Sequence, residues 1–328
     1  MPKVSVIIAT HNRPQLLPRA VESARRAGSD VEIVVVDDAS TDETAEVCRR
    51  LEVGRYVRAD RRQGVAGARN LGLLASTAEF VSFLDDDDVR LAGTLDEQAQ
   101  VLESAPEAGL VYGQALIGDQ DCTPTGELYP EPCPRGELFW GLLERNFIPC
   151  GSALFRKSCL RRVGLLDKRS AGVDDWDLWV RIAELYPVEA VERPAIVWRQ
   201  STADSGQGSS RTVELISLSL SLLRRRWLSL PRARAGGARA RRRAWRGFSD
   251  NVAEHILWEA ATSPLGGEFR AAARAATVAL RLHPLSPLKA ARAWARFSML
   301  RLMTAEALGG EGLSGAKARL KLARSRGK

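Results

Sequence analysis

Three short apolar runs recur in the first part of the chain: KVSVIIA (Lys3–Ala9), VEIVVV (Val31–Val36) and EFVSFL (Glu79–Leu84). They are nearly continuous rather than alternating, which is how a strand reads when both sheet faces are covered. Between them lie stretches of helical spacing. Pro14–Ala27 carries Leu16, Leu17, Ala20, Val21 and Ala24 on one face, with Pro14 suited to a first turn. Thr41–Leu51 is entered through Ser40-Thr41-Asp42-Glu43, a capping hydroxyl followed by first-turn acids. Gly64–Ser76 and Thr94–Ser104 read as further helices, and Arg55–Ala59 as a short strand. This rhythm predicts the α/β class, with a mostly parallel sheet flanked by helices. Such sheets bind ligands beyond the carboxyl ends of their strands. Three polar clusters fall at those ends: Thr10-His11-Asn12-Arg13, Asp37-Asp38-Ala39-Ser40 and Asp85 to Asp88. The topology is expected to gather them at one edge.

Residues 105–170 are less regular, with Pro124, Pro130, Pro132 and Pro134, a helix near Gly136–Arg145 and a strand at Ser152–Phe155. The segment VDDWDLWVRIAELY (Val173–Tyr186) is an amphipathic helix with Leu178, Trp179, Ile182 and Leu185 as its stripe, and Asp174 and Asp175 at its positive end. Ala203–Ser210 (ADSGQGSS) is the best linker. Arg211–Leu230, Arg239–Ala261, Glu268–Leu282 and Pro287–Leu308 all read as helices, so the expected division is an α/β domain over 1–205 and an all-α region over 206–328. Charge follows the same division. Residues 1–200 hold 24 basic and 32 acidic side chains, and residues 201–328 hold 24 basic and 8 acidic ones. The basic part suits an anionic partner.

Four consecutive carboxylates at a strand end repel one another and resist desolvation, so a cation is expected opposite them. The five cysteines form no CxxC pair, and MPKVSVIIATHNRP reads as a strand rather than a secretory leader. No apolar run reaches the ~18 residues of a membrane span. These features lead us to expect free thiols and a cytoplasmic location.

The fragments VSVIIATHNRP, EIVVVDDASTDET, GVAGARNLGL, FVSFLDDDD and VDDWDLWVRIA, in this order over roughly residues 3–200, resemble the family 2 glycosyltransferases of the GT-A fold. The resemblance implies a Rossmann-like GT-A sheet and inverting transfer of a sugar from a nucleotide-diphosphate donor. It places Asp85-Asp86-Asp87 at the family's DxD motif, with Asp87 on a Mn2+ or Mg2+ ion and Asp85 on the ribose or on the metal through water. Asp38 matches the aspartate that accepts from the base. A carboxylate only accepts, which suits the imide N–H of uracil or thymine and hence a UDP- or dTDP-sugar. Thr10, His11 and Asn12 fall on the nucleotide loop, and Arg69 matches a basic residue near the nucleotide. Asp175 matches the catalytic base, with Asp174 the lesser candidate; simple helix capping is the competing role for both. Asn146–Ser152 falls where relatives meet the acceptor, and Trp140 could stack on a sugar. One departure stands out: where many relatives carry R-x-H, this chain has Trp198-Arg199-Gln200-Ser201, which implies either a lower metal affinity or that Arg199 stands in by pairing with the diphosphate.

The implied acceptor is a hydroxyl of a saccharide, a lipid-linked sugar or another glycoconjugate. The arginine-bearing C-terminal helices suit either a peripheral membrane surface or packing on the catalytic domain. Two other classes compete. A nucleotidyltransferase acting on a sugar phosphate needs a glycine-rich basic loop after the first strand, which HNRPQLL lacks. A nucleic-acid-binding protein leaves the acidic edge unexplained, since carboxylates repel phosphate.

Overall fold

The computed structural model describes residues 2–170, 172–200, 220, 222–262, 277 and 280. The expected linker at 203–210 and the helices at 268–282 and 287–308 lie outside the described residues, apart from 277 and 280. The chain divides into two compact units, Met1–Gly247 and Phe248–Lys328. The first is described here.

Its centre is one mixed sheet. β1 (Val4–Thr10), β2 (Val31–Asp37), β3 (Arg55–Arg58) and β4 (Phe80–Asp85) form a parallel half in the order β3-β2-β1-β4. The order reverses at β1, because α1 (Leu17–Arg26) leads to β2 on one side while α3 (Gly64–Ala75) crosses back to β4 on the other. The register aligns Thr10 with Asp37 and Ala9 with Asp85. The three polar clusters therefore meet at one switch-point edge, as the strand pattern predicts. α3 packs closely on the sheet: a Cβ at Gly72 would lie 2.3 Å from Ile7 Cγ2.

Of the second half of the sheet, the sequence shows only the strand expected at Ser152–Phe155. β5 (Val89–Arg90), β6 (Leu110–Gly118), β7 (Pro124–Tyr129), β8 (Ala153–Arg156) and β9 (Val188–Arg199) continue it in the order β4-β8-β6-β9-β5, with β7 on β6. Most of these pairings are antiparallel, although β6 and β9 run parallel. β6 and β9 carry register shifts against each other, which blurs the two-residue period by which a strand is recognised. α2 (Thr44–Arg50) starts three residues later than expected, because Asp42 rather than Ser40 accepts the Thr44 N–H (3.0 Å). The helix near 136–145 is shorter than expected, α5 (Phe139–Glu144). α4 (Thr94–Ser104) and the short α6 (Leu160–Val163) complete this part.

α7 (Asp174–Leu185) packs across the sheet through Trp179, which lies 5.6 Å from the Phe155 ring and 6.3 Å from that of Phe83. On its outer side sit α8 (222–229), α9 (Pro231–Ala235) and the first turns of α10 (Gly237–Thr262). Trp227 of α8 is 1% exposed and packs at a tilt against Trp176, ring centroids 5.2 Å apart. Its indole N–H donates to Asp177 (3.0 Å), which also pairs with Arg181 and Arg226 at 3.0 Å each. Of the two roles open to the basic helices, packing on the α/β body is therefore met by α8 and α9.

Candidate active site

The floor of the site is the switch point. Two loop residues there hold left-handed backbone without being glycine, Asn12 (φ 53) and Ala39 (φ 61). Such strain persists only where neighbours over-determine it. Here they do: Asn12 N–H donates to Ser40 Oγ (3.0 Å) and Asn12 Oδ1 accepts from Thr41 N–H (2.8 Å). His11 Nδ1 donates to the Asp38 carbonyl (2.8 Å). The first and second βα loops are thus stitched into one wall.

Asp37 and Asp38 diverge. Asp37 is fully buried and accepts from Tyr56 and Arg58, each at 2.6 Å, and from Ser40 N–H at 2.7 Å. Burial pushes its carboxyl up, but the hydrogen bonds from Ser40 and Tyr56 and the Arg58 charge outweigh that and hold it below the usual range. It braces the sheet edge. Asp38 accepts from the backbone N–H groups of Gln63 (2.6 Å) and Gly64 (2.9 Å), so it fixes the start of α3. Each of its oxygens keeps a further lone pair.

The acidic run splits by side. Asp86 turns into the protein, accepting from Thr10 (2.7 Å) and Arg13 (2.9 Å), and burial pushes it up to about 6 against the Arg13 charge. Asp88 is also buried and accepts the Arg199 backbone N–H (2.9 Å), and burial raises it strongly. Asp85 and Asp87 remain partly open, with side chains 32% and 18% exposed. Burial and the neighbouring Asp85 charge raise Asp87. Arg13 also donates to Asp87 at 3.4 Å, and Arg199 stands farther from it at 4.0 Å. The split arises in the turn that follows β4, closed by the Asp88 N–H donating to the Asp85 carbonyl (3.1 Å).

Arg69 joins this edge to α7. It donates to Asp85 (2.7 Å) and to Asp174 (2.8 Å), and its guanidinium lies 5.2 Å from the Phe83 ring centroid. Asp174 is 2% exposed and committed to that pair. The adjacent Asp175 is half-buried, and burial with the Asp174 charge pushes it up to about 7, although Arg69 opposes the shift. Trp176 and Trp179, which flank Asp175 along α7, serve the core. Trp176 donates to the Leu142 carbonyl (2.6 Å) and packs at a tilt against Trp227, while Trp179 packs on Phe83 and Phe155. A hydrogen bond from the Trp176 backbone N–H, in the first turn of α7, also lowers Asp175 against the effect of burial. Cys150, in the 146–152 segment, lies within electrostatic reach of Arg69 and Asp175, and burial raises its thiol well above the usual range. Trp140 faces the C-terminal helices, where a Cβ on Gly236 would meet its ring at 2.4 Å.

The site therefore brings together Thr10, Asp85, Asp86, Asp87, Arg69, Asp174 and Asp175, with Asp38, His11 and Asn12 on the adjoining wall and Arg199 at its rim. Sequence reasoning passed over Arg13. Its signal was there, a cation on the first switch loop facing an acidic run whose charge needs balancing.

A known structure shares this architecture. A mannosyltransferase of Pyrobaculum calidifontis, solved with GDP-Man and Mn2+, superposes with a TM-score of 0.53 at 22% identity over 88% of this chain and 83% of that one. The sheet and its flanking helices are the GT-A fold. The family model for glycosyl transferase family 2 matches residues 5–164. A PGL/p-HBAD biosynthesis glycosyltransferase of Mycobacterium bovis is 30% identical over 187 residues, which are 55% of this chain and 69% of that protein. This chain belongs to glycosyl transferase family 2. A GalNAc(5)-diNAcBac-PP-undecaprenol beta-1,3-glucosyltransferase of Campylobacter jejuni is 39% identical over 124 residues, and the chain covers 36% of itself and 39% of that protein's length in the match.

Proposed function

We propose that the protein is an inverting glycosyltransferase that moves a sugar from a nucleotide-diphosphate donor, UDP- or dTDP-linked, to a hydroxyl on a lipid-linked or other saccharide acceptor. The observation that carries this is the Arg69 bridge, which ties the carboxylate edge at Asp85 to the α7 acids at Asp174 and leaves Asp175 half-open with a carboxyl near 7. A general base works best with a pKa near the working pH. Asp175 takes the acceptor's hydroxyl proton as that oxygen attacks the anomeric carbon. The bond to the diphosphate oxygen breaks on the opposite face, so a single displacement inverts the centre.

A divalent cation, Mn2+ or Mg2+, fits the edge in part. Asp85 and Asp87 are hard oxygen donors, and burial followed by the Asp85 charge raises Asp87. Among the described residues no three His, Cys, Asp or Glu side chains gather for a metal, so the remaining ligands would come from the diphosphate and water. Bound there, such an ion supplies Lewis-acid stabilisation of the leaving diphosphate. Arg199 and Arg13 stand where they can pair with the same phosphates. Asp38, His11 and Asn12 line the nucleotide side.

The acceptor reading is supported by the Campylobacter relative, whose name carries a diphosphoundecaprenol acceptor. No helix among the described residues is long and apolar enough to cross a membrane. The basic C-terminal helices suit peripheral contact with the cytoplasmic face. A donor screen tests the whole reading: UDP-, dTDP- and GDP-sugars with and without Mn2+ or Mg2+, with release of nucleoside diphosphate measured for wild type, Asp87→Ala and Asp175→Asn. Metal-dependent release from one donor, lost in both variants, is expected. A panel that gives neither release nor a nucleotide-induced thermal shift overturns it.

A further inference from the structure

The arginines of α8 to α10 fall into two sets. Arg226 and Arg232 turn toward the α/β body, pairing with Asp177 (3.0 Å) and Asp167 (3.3 Å), and with Glu137. Arg224, Arg225, Arg234 and Arg241 turn the other way and line an open groove of about 760 Å³ with Leu220, Leu228, Ser229 and Trp245. No acid is among these described lining residues. Arg241 Nε is buried there with no hydrogen-bond partner among the described residues. Arg224 and Leu228 are spaced four apart, which puts them on one side of α8. The groove is thus cationic and apolar at once.

We propose that this groove binds the phosphate headgroup of a lipid at a membrane surface, with the phosphate among the four guanidiniums and the first part of the acyl or isoprenyl chain along Leu220, Leu228 and Trp245. The inference rests on the membrane-side reading above and gives it a site. Arginine forks match phosphate oxygens, and their weak hydration lowers the penalty of burying the pair. An indole beside aliphatic side chains is the pairing found at bilayer interfaces. A nucleic acid fits less well. It needs free aromatic faces on which bases stack, and the Trp245 ring is already covered by the Arg224 guanidinium at 5.3 Å. The groove is built from α8, α9 and α10, whereas Asp175 and the carboxylate edge belong to α7 and β4.

The test is co-sedimentation of the full chain with phosphatidylcholine vesicles, with and without phosphatidylglycerol. The comparison protein carries Arg224→Gln, Arg225→Gln, Arg234→Gln and Arg241→Gln together, and a second carries Leu228→Ser. Melting curves establish that each is folded. The four arginines stand on exposed or half-exposed positions, so their loss leaves the core intact. Wild type is expected to partition onto the phosphatidylglycerol vesicles in a salt-sensitive way. Each arginine removed lowers the partition by about fivefold, from roughly 1 kcal/mol per cation near an anionic surface. Leu228→Ser weakens binding that persists at high salt. Wild-type retention that the quadruple variant keeps in full overturns the groove while leaving membrane contact standing. No wild-type retention overturns both. Binding of inorganic pyrophosphate in the groove without vesicle retention, or of duplex DNA in preference to vesicles, also overturns it.

Discussion

Replacing Trp227 with alanine should detach α8 from the catalytic body. The indole is 1% exposed, packs at a tilt against Trp176 at 5.2 Å and donates to Asp177 at 3.0 Å. Truncating a buried tryptophan costs about 3–5 kcal/mol. The lost hydrogen bond to a charged group is worth roughly 1.5–3 kcal/mol taken alone. The two overlap, since one substitution removes both, so a total of about 4–5 kcal/mol is expected. Trp227→Phe separates them: it keeps most of the ring and loses the donor, at about 1–3 kcal/mol. Against a typical domain stability of ~5–15 kcal/mol, the alanine variant is left marginal. The assay is urea unfolding, with the midpoint shift multiplied by the slope. Because Asp177 and Asp175 share the first turns of α7, turnover should fall in Trp227→Ala at a temperature where nucleotide still raises the melting point. A midpoint unchanged by Trp227→Ala, or a phenylalanine variant as unstable as the alanine one, would refute this account of the contact. The same reasoning predicts that a chain ending near residue 205 is poorly soluble, because it uncovers Trp176.

Asp175→Asn should lower turnover by about 10²–10⁴-fold with little effect on donor binding, as expected for a lost general base; single-turnover kinetics with isothermal titration checks this. Wild-type turnover should rise through pH 7, where Asp175 ionises. The stability contribution has the opposite sign: the folded carboxyl holds its proton more tightly than the unfolded chain, so the stabilisation present at low pH is lost as pH rises through about 7. Opposed slopes of rate and melting temperature across pH 5–8 are the signature, and parallel slopes argue against Asp175. Arg69→Met leaves Asp174 buried and unpaired, which costs about 3–5 kcal/mol, read by thermal or urea unfolding. Gly72→Leu forces Ile7 aside, and a destabilisation of about 1–3 kcal/mol or more is expected in the same assay. Chelation followed by titration with Mn2+ should restore donor turnover in wild type and not in Asp87→Ala.

The sequence by itself determined the parallel half of the sheet and the composition of the edge. Continuous β-branched runs need cover on both faces, and crossover connections then bring strand ends to one side, so residues as distant as Thr10, Asp38 and Asp85 were legible as neighbours. The α7 acids were legible because apolar spacing fixed the helix and hence its N-terminus. Tertiary structure alone decided which acid does what. Asp85 to Asp88 are chemically alike in sequence; they differ because the end of β4 turns Asp86 toward Thr10 and Arg13 and leaves Asp85 and Asp87 open. Asp174 and Asp175 are likewise adjacent, and only the reach of Arg69 from α3 commits one and spares the other. β6 and β9 were hidden because their pairing is long-range and bulged, which leaves little local period to read. The place of Trp227 was hidden for a related reason. A tryptophan on an arginine-rich helix faces solvent or core depending on what lies opposite, and here that is Trp176 and Asp177, some fifty residues earlier in the chain.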